Sequence, residues 1–562
     1  MLFVLCNWLY IFITTFLTGF AVLYAVEKKF GYKCKRLDAY LMAGLVILTA
    51  YAQWFSLFYR VNIEANIILA VVCILIVVLL GKEIFDYTRN TWVETSKSQK
   101  IGVFVLVVVV CYFTSRGHFV YDTNLYHAQA IRWLEEYGIV KGLANIQSRA
   151  AYNSSVFCLS ALYSMKYVFG QSMHTLQGFM ALILASMCLT LGKVFKGKRV
   201  ALSDFAKIGA VYYLSLLYDE ITSPSSDYAV MIILFYTVIK WLELLEEKET
   251  STVPYSLLCV VGVYTMTLKL TAALILILLI KPMVMLLKQK KWKEIWTYLL
   301  MGLLVFVPYL ARNVIISGWI LYPFEHLDLF NVDWKVPEVV VSADAFQIKT
   351  WGKGIHAYEE YGNVGVWFPN WFRTVLTSTE KLLILADILA LVILAVTLLG
   401  QIIKPKREEW DNFLVFITVA ASYLFWQFSA PLTRYGYAYI LLLALLVFGW
   451  CYITFFAKNK QYVILGVMIV LFLWKGCILI KGALSTCLWS CYVKQVDYDS
   501  NEGEDYVKSF ELNNHTFYYR VSGYHKLPGG GIMFDMRGDD IEDGFRFEAK
   551  NETNVFGKYL EE

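Results

Sequence analysis

Leu2–Ala25 reads LFVLCNWLYIFITTFLTGFAVLYA, an apolar run without a charged residue. A helix needs about 20 mainly apolar residues to cross the hydrocarbon core of a bilayer, and this run is long enough. It has no basic start and no small-residue cleavage site, so it is expected to stay as a helix rather than to be removed as a signal peptide. Comparable runs follow near 38–58, 63–80, 101–114, 172–194, 205–219, 227–245, 254–268, 270–288, 295–314, 380–403, 412–430, 435–456 and 461–483. Apolar length therefore predicts about fourteen spans. Composition agrees: of 562 residues, 58% are hydrophobic and 17% charged, where a soluble chain carries about a quarter charged. The expected fold class is an all-α polytopic integral membrane protein, and a soluble globular fold is excluded.

Short basic loops orient the spans. Lys28, Lys29, Lys33, Lys35 and Arg36 follow the first span, and Lys193, Lys196, Lys198 and Arg199 the fifth. Lys288, Lys290, Lys291 and Lys293 follow the ninth, Lys404, Lys406 and Arg407 the eleventh, Lys458 and Lys460 the thirteenth. With the spans numbered this way all five loops fall on one face, expected to be cytoplasmic. The other face then holds the segment 115–171, the loop 315–379 and the tail 493–562. Residues 1–100 are expected to be N-terminal membrane helices, 101–483 a membrane-embedded catalytic region, and 484–562 a small exported C-terminal domain. Alternation over Thr516–Val521 predicts some β structure there, and Gly529-Gly530-Gly531 a turn. That glycine run lacks the following Lys-Ser or Lys-Thr of a phosphate loop. The 11 cysteines lie mostly in apolar runs, which argues against a disulfide scaffold and a metal site. Cys487 and Cys491, four apart, are expected to pack inertly.

Chemistry concentrates between Gly117 and Ser155, GHFVYDTNLYHAQAIRWLEEYGIVKGLANIQSRAAYNSS. Asp122 and Thr123 suit a helix start. Ile131, Leu134 and Gly138 share a face, with Arg132, Glu135 and Glu136 largely off it, as in a helix lying in the interface. Val156–Gly170 is too short to span comfortably and reads as a second interfacial or re-entrant helix.

The order of these parts resembles the first catalytic loop of the GT-C glycosyltransferase superfamily. The parts are a span (Val103–Phe113), an acid just beyond it (Asp122), juxtamembrane helices, an apolar stretch ending in Phe169-Gly170, and a span closed by basic residues. More narrowly, YDTNLYHAQAIRW, EEYGIVKGLANIQSRAAYNSS, RNVIISGWILYPFEHLDLFNVDWKVP and MRGDDIEDGFR resemble a bacterial family of multi-pass proteins of uncharacterised activity. The superfamily resemblance implies a GT-C-like membrane glycosyltransferase of the bacterial cytoplasmic (inner) membrane, and the span count with the basic loops places both termini on the extracytoplasmic side. It would move a sugar from a polyprenyl-phosphate donor to a cell-surface glycan or lipid acceptor. No cofactor and no nucleic acid are expected; the lipid bilayer, donor and acceptor are the partners.

An inverting transfer needs a base at the acceptor hydroxyl and cations at the departing phosphate. Asp122 is the candidate base, with a helix cap as its alternative role. His127 is expected to orient Asp122 or bond the acceptor, a structural contact being equally open. GT-C loops often carry a second acid beside the first; here the next acids are Glu135 and Glu136, which weighs against metal assistance. Lys269 resembles the phosphate-facing lysine of some GT-C members, though snorkelling to the interface explains it too. Arg312 and Arg434 end spans on the outer side, where arginines run against the charge bias, and their forks suit phosphate. Tyr121, Tyr126, Asn153, Asp227, Glu325 and Tyr435 are possible substrate contacts, Asp227 more simply as a helix cap. Three other classes remain: a transporter or flippase for lipid-linked saccharides, a polymerase or ligase outside GT-C, and a purely structural assembly subunit. A coupled pump would place charges mid-span, and most charges here sit at span ends.

Overall fold

The computed structural model describes residues 1–191, 200–354, 362–403, 409–455, 489–498, 508–519, 523–531 and 533–547, with scattered positions between 466 and 481. Among these, ten helices are long and apolar enough to cross a membrane: Leu2–Phe30, Leu37–Ser56, Ile63–Glu94, Lys97–Arg116, Ser226–Glu246, Leu270–Lys288, Trp292–Ser317, Ser378–Ile403, Trp410–Ser429 and Tyr437–Phe455. Three further expected spans are shorter helices, Leu176–Cys188, Leu202–Leu217 and Thr252–Leu268. The run at 461–483 lies largely outside the described residues, as do the basic loops after the fifth, eleventh and thirteenth spans and Cys487. The chain is a multi-pass, all-α membrane protein with a small C-terminal β region.

Burial orders the bundle. Ser226–Glu246 has 89% of its most apolar window buried and is the central helix; Ile63–Glu94 has 22% and turns Ile67, Val71, Leu75 and Val78 outward. Such an exposed apolar surface is stable only against lipid. Helix ends follow local signals. Gly31, at φ 74°, takes the left-handed position that closes Leu2–Phe30, and Ser96 with Gln99 forms a capping box before Lys97–Arg116.

Leu2–Phe30 and Leu37–Ser56 meet backbone to backbone. A Cβ on Gly44 would lie 1.9 Å from the Thr15 carbonyl oxygen, and one on Gly19 1.9 Å from that of Tyr40. Small residues allow such approach between membrane helices. Gly44→Val is therefore expected to force the pair apart and lower the melting temperature and monodisperse yield of the detergent-extracted protein. Wild-type yield and melting in that variant would contradict the contact.

The segment after Lys97–Arg116 is not a set of surface helices. A π-helical turn, Thr123–His127, leads into Ala128–Glu136. Glu135, read from sequence as lying off the apolar face, is 2% exposed. Ser172 donates to it at 2.8 Å and Tyr524 donates to its other oxygen. Every residue of the helix Ser155–Ser164 is buried, so this piece sits inside protein rather than in the lipid interface.

The tail does not stand apart. Strands β1 (Lys508–Leu512), β2 (His515–Tyr519) and β3 (Gly529–Gly530) form one sheet, β4 (Phe534–Met536) and β5 (Phe545–Phe547) another. Phe517, Phe534 and Phe545 share a core with Trp133, Leu143 and Trp319 from the two long loops. Gly529-Gly530 is a strand parallel to β2, not a turn. A side chain at 530 would strike the Ile146 carbonyl, 2.5 Å from its Cβ. At the same end of the bundle the Met1 amine donates to Ser115 Oγ at 2.6 Å and to the Cys491 carbonyl.

Candidate active site

The site is assembled where the segment leaving Lys97–Arg116 meets the start of the central helix. His118 N donates to the Asp219 carbonyl and Val120 N to Ser223 Oγ, both at 2.9 Å. These bonds bind residues 118–120 to the turn before Ser226–Glu246 and bring Asp122 near Asp227. Ser225 accepts the Asp227 N–H as the helix cap, which leaves the Asp227 carboxylate free for other partners. On the next helix, Ser154 Oγ donates to the Leu268 carbonyl at 2.7 Å and Ser155 Oγ lies 2.8 Å from Thr267 Oγ1. That pair fixes the break at Lys269, an extended residue between Thr252–Leu268 and Leu270–Leu279.

Two acids and two cations from four chain regions converge there. Asp122 Oδ2 is 2.5 Å from Arg434 Nη2. Arg434 Nε is 3.8 Å from Asp227 Oδ2, and Lys269 pairs with the other Asp227 oxygen. Tyr435 joins the cations: its hydroxyl accepts from Arg434 Nη2 at 3.1 Å, and Lys269 Nζ stands 3.5 Å from its ring centroid. Asp122 makes no side-chain cap bond although it occupies the cap position. The side chain of Asp227 is 9% exposed, those of Asp122 and Arg434 19% and 36%. Asp227 is thus an inner anchor, while Asp122 and Arg434 are open to a ligand. Burial alone would lower the Arg434 guanidinium, but Tyr435 and the facing Asp227 and Asp122 carboxylates push it above its ordinary range.

His127 backs this cluster without bonding Asp122. Its Nδ1 pairs with Thr123 Oγ1 at 3.0 Å, and the ring is 2% exposed. Burial, with Arg434 and Lys269 adding repulsion, pushes its pKa down to about 3. A neutral ring cannot serve as a phosphate cation at pH 7. The Tyr126 ring lies 4.3 Å from His127, and burial with Asp227 and Asp122 nearby raises its phenol. Because the folded pKa of His127 lies below the unfolded 6.5, the unfolded chain binds more protons between those values. Its contribution is thus complete above about pH 6.5 and declines as pH falls toward 3. His127→Gln is expected to flatten the acid limb of a thermal-stability profile in part, because a second buried ring, His174, also has its pKa pushed down to about 3 by burial. An unchanged limb would contradict a buried neutral ring.

Other sequence candidates lie elsewhere. Arg312 is inside Trp292–Ser317 rather than at its end and is 4% exposed. It donates to Asn153 Oδ1 at 3.0 Å and Ser56 Oγ at 2.6 Å, and it pairs with neither Asp122 nor Asp227. Asn153 donates to Asn313 Oδ1 at 2.7 Å; the two expected contacts form a separate polar node. Glu325 accepts from Ser342, and Tyr121 is 76% exposed. Sequence reasoning missed the tail's grip on the helix behind Asp122. Gln129 Nε2 donates to the Gly523 and Lys526 carbonyls at 3.0 and 2.8 Å, and Arg132 to those of Tyr524 and His525 at 2.7 Å. These partners are nearly 400 positions apart and main-chain acceptors leave no residue signal.

A family model described as a domain of unknown function (DUF8201) matches residues 1–441. No curated protein matches the chain. Among solved structures, the chain is similar to a cryo-EM structure of the arabinosyltransferase EmbB from Mycobacterium smegmatis. The identity is 12% and the TM-score 0.34, over 68% of this chain and 34% of that one. The chain thus spans about a third of the length of that neighbour.

Proposed function

The chain belongs to the DUF8201 family, and from that premise we propose that it is a membrane glycosyltransferase of GT-C type. It moves a sugar from a polyprenyl-phosphate donor to a glycan or lipid acceptor on the outer face of the bacterial cytoplasmic membrane. The observation that carries this reading is the convergence of Asp122, Asp227, Lys269 and Arg434, two acids and two cations from distant parts of the chain. Lys269 and Arg434 take the donor phosphate, to which preorganised cations give their largest benefit as negative charge develops on departure. The phosphate competes with Asp122 for the guanidinium, and the carboxylate so released faces the acceptor hydroxyl. The acceptor oxygen attacks the anomeric carbon and gives its proton to Asp122. The bond from that carbon to the phosphate oxygen breaks, and its electron pair leaves with polyprenyl phosphate. One base suffices for this single displacement, which inverts the centre. Asp227 holds both cations in place, and the Tyr126 and Tyr435 rings wall the sugar.

Reconstitution tests the proposal. Liposomes containing the full chain, a panel of labelled polyprenyl-phosphate sugars and an envelope extract are expected to release polyprenyl phosphate and label a glycan or lipid. Absence of protein-dependent release with every donor would overturn it. One observation favours carrier transport instead: Asp387, within Ser378–Ile403, is 0% exposed, and intramembrane carboxyls commonly serve transport. Asp387→Asn separates the readings, because a transferase retains release in open detergent micelles and a proton-coupled flippase loses transport in sealed vesicles.

A further inference from the structure

The π-helical turn Thr123–His127 frees a carbonyl that the C-terminal tail takes up. Ala128 N donates back five residues, to the Thr123 carbonyl; in an α-helix it would reach back four, to Asn124. The Asn124 carbonyl, deprived of that donor, accepts instead from Gly523 N at 2.7 Å. Single π turns are rare and recur at functional positions, and a donor from outside the helix helps to satisfy the backbone group that such a turn displaces. The Gly523 peptide is gripped on its carbonyl side as well. Gln129 Nε2 donates to it at 3.0 Å and to the Lys526 carbonyl at 2.8 Å. The loop contribution here is longer: Gln147 Nε2 stands 3.5 Å from the Leu125 carbonyl.

The tail also holds the chain before Asp122. Gln495 Nε2 donates to the Thr114 carbonyl at 2.9 Å and Val496 N to that of Ser115 at 2.8 Å, which pins this part of the tail to the end of Lys97–Arg116. Tyr498, two residues on, stacks on Phe119 with ring centroids 4.2 Å apart and planes 10° apart, and on Tyr524 at 5.7 Å. Its hydroxyl shares a hydrogen bond with His174 Nε2 at 3.0 Å. Ala128 is buried against Tyr498 and Tyr524. Asp122 stands between the two gripped stretches, three residues after Phe119 and two before Asn124, and its own side chain reaches out to Arg434. The gripping residues lie beyond the stretch 1–441 that the family model matches.

We infer that residues 495–498 and 523–526 position the catalytic base: they clamp the chain on both sides of Asp122 and hold its π turn, with Gln129 and Tyr498 as positioning residues. The consequence for transfer rests on the glycosyltransferase reading; the grip itself does not. Two measurements on the full chain in nanodiscs test it. In Gln129→Leu, which removes both bonds to the tail carbonyls at similar side-chain size, hydrogen–deuterium exchange is expected to lose protection across 123–128 and not in the membrane helices. Single-turnover transfer in the same variant is expected to slow about 10- to 10²-fold, as a small misplacement of a reacting group does. Donor affinity is expected to hold, because Lys269 and Arg434 lie outside the gripped stretches. In an Asp122→Asn background the same substitution is expected to add no further slowing, since both act through one carboxylate. Tyr498→Leu, which removes the stack on Phe119 and leaves the bonds of the turn alone, is expected to reproduce both effects. Wild-type protection of 123–128 in both variants, or an undiminished slowing by Gln129→Leu in the Asp122→Asn background, would overturn the inference. No release by the wild type with any donor would instead remove the transferase reading, and the exchange measurement would still decide the grip.

Discussion

Asp122→Asn is expected to slow glycosyl transfer about 10²–10⁴-fold, the range a positioned general base contributes, while leaving donor affinity nearly unchanged. The amide oxygen still accepts from Arg434, so the geometry around the 2.5 Å contact survives, but the amide cannot take the acceptor's proton. Asp122→Ala removes the acceptor oxygen as well and leaves Arg434 with the Tyr435 hydroxyl and the more distant Asp227 carboxylate, 3.8 Å away. That variant should therefore also change donor binding. Single-turnover release from a labelled polyprenyl-phosphate sugar separates the two effects. Wild-type rates in a well-expressed Asp122→Asn protein would remove this carboxylate as the base, whatever the rest of the site does.

The second large effect is expected at Arg434. A hydrogen bond to a charged group contributes about 1.5–3 kcal/mol, and the partly open Arg434 guanidinium offers several to a phosphate. Arg434→Ala strips Asp122 of its partner and leaves Asp227 to Lys269 alone. Two carboxylates are then matched by one cation, and an incoming phosphate meets net negative charge. Donor affinity is expected to fall at least about tenfold, the lower end of that energy range at 1.4 kcal/mol per tenfold. Arg434→Lys restores the charge but not the planar fork that reaches Asp122, Asp227 and Tyr435 together. It should recover donor binding only in part. Equal donor affinity for wild type and Arg434→Ala in nanodiscs would place the phosphate elsewhere.

Much of this was legible in the sequence, for identifiable reasons. Apolar length marks a membrane helix because lipid imposes a minimum span, so Leu2–Phe30 and its like were readable directly. Asp122 and Lys269 stood out through a layout that resembles GT-C loops, and Arg434 because an arginine at an outer span end runs against the charge bias; the fold brings these three together with Asp227 and Tyr435. Arg312 had the same signal, yet its position inside Trp292–Ser317 turns it into the bundle; a boundary error of a few residues decides which way a side chain faces. Glu135 was misread because its partners, Ser172 and Tyr524, are brought to it only by tertiary docking. The strand at Gly529–Gly530 escaped for a related reason. Glycine there answers the approach of Ile146, a contact that no local turn propensity encodes.

The central claim is that the phosphate of a lipid-linked sugar displaces Asp122 from Arg434. A cryo-EM structure of the full chain with a bound non-hydrolysable polyprenyl-phosphate sugar measures this directly. The account predicts phosphate oxygens within hydrogen-bond reach of Lys269 Nζ and the Arg434 guanidinium, with the Asp122 carboxylate turned from Arg434 toward the side of the sugar that the acceptor hydroxyl approaches. A phosphate bound at another span end, with the Asp122–Arg434 pair intact, would contradict it.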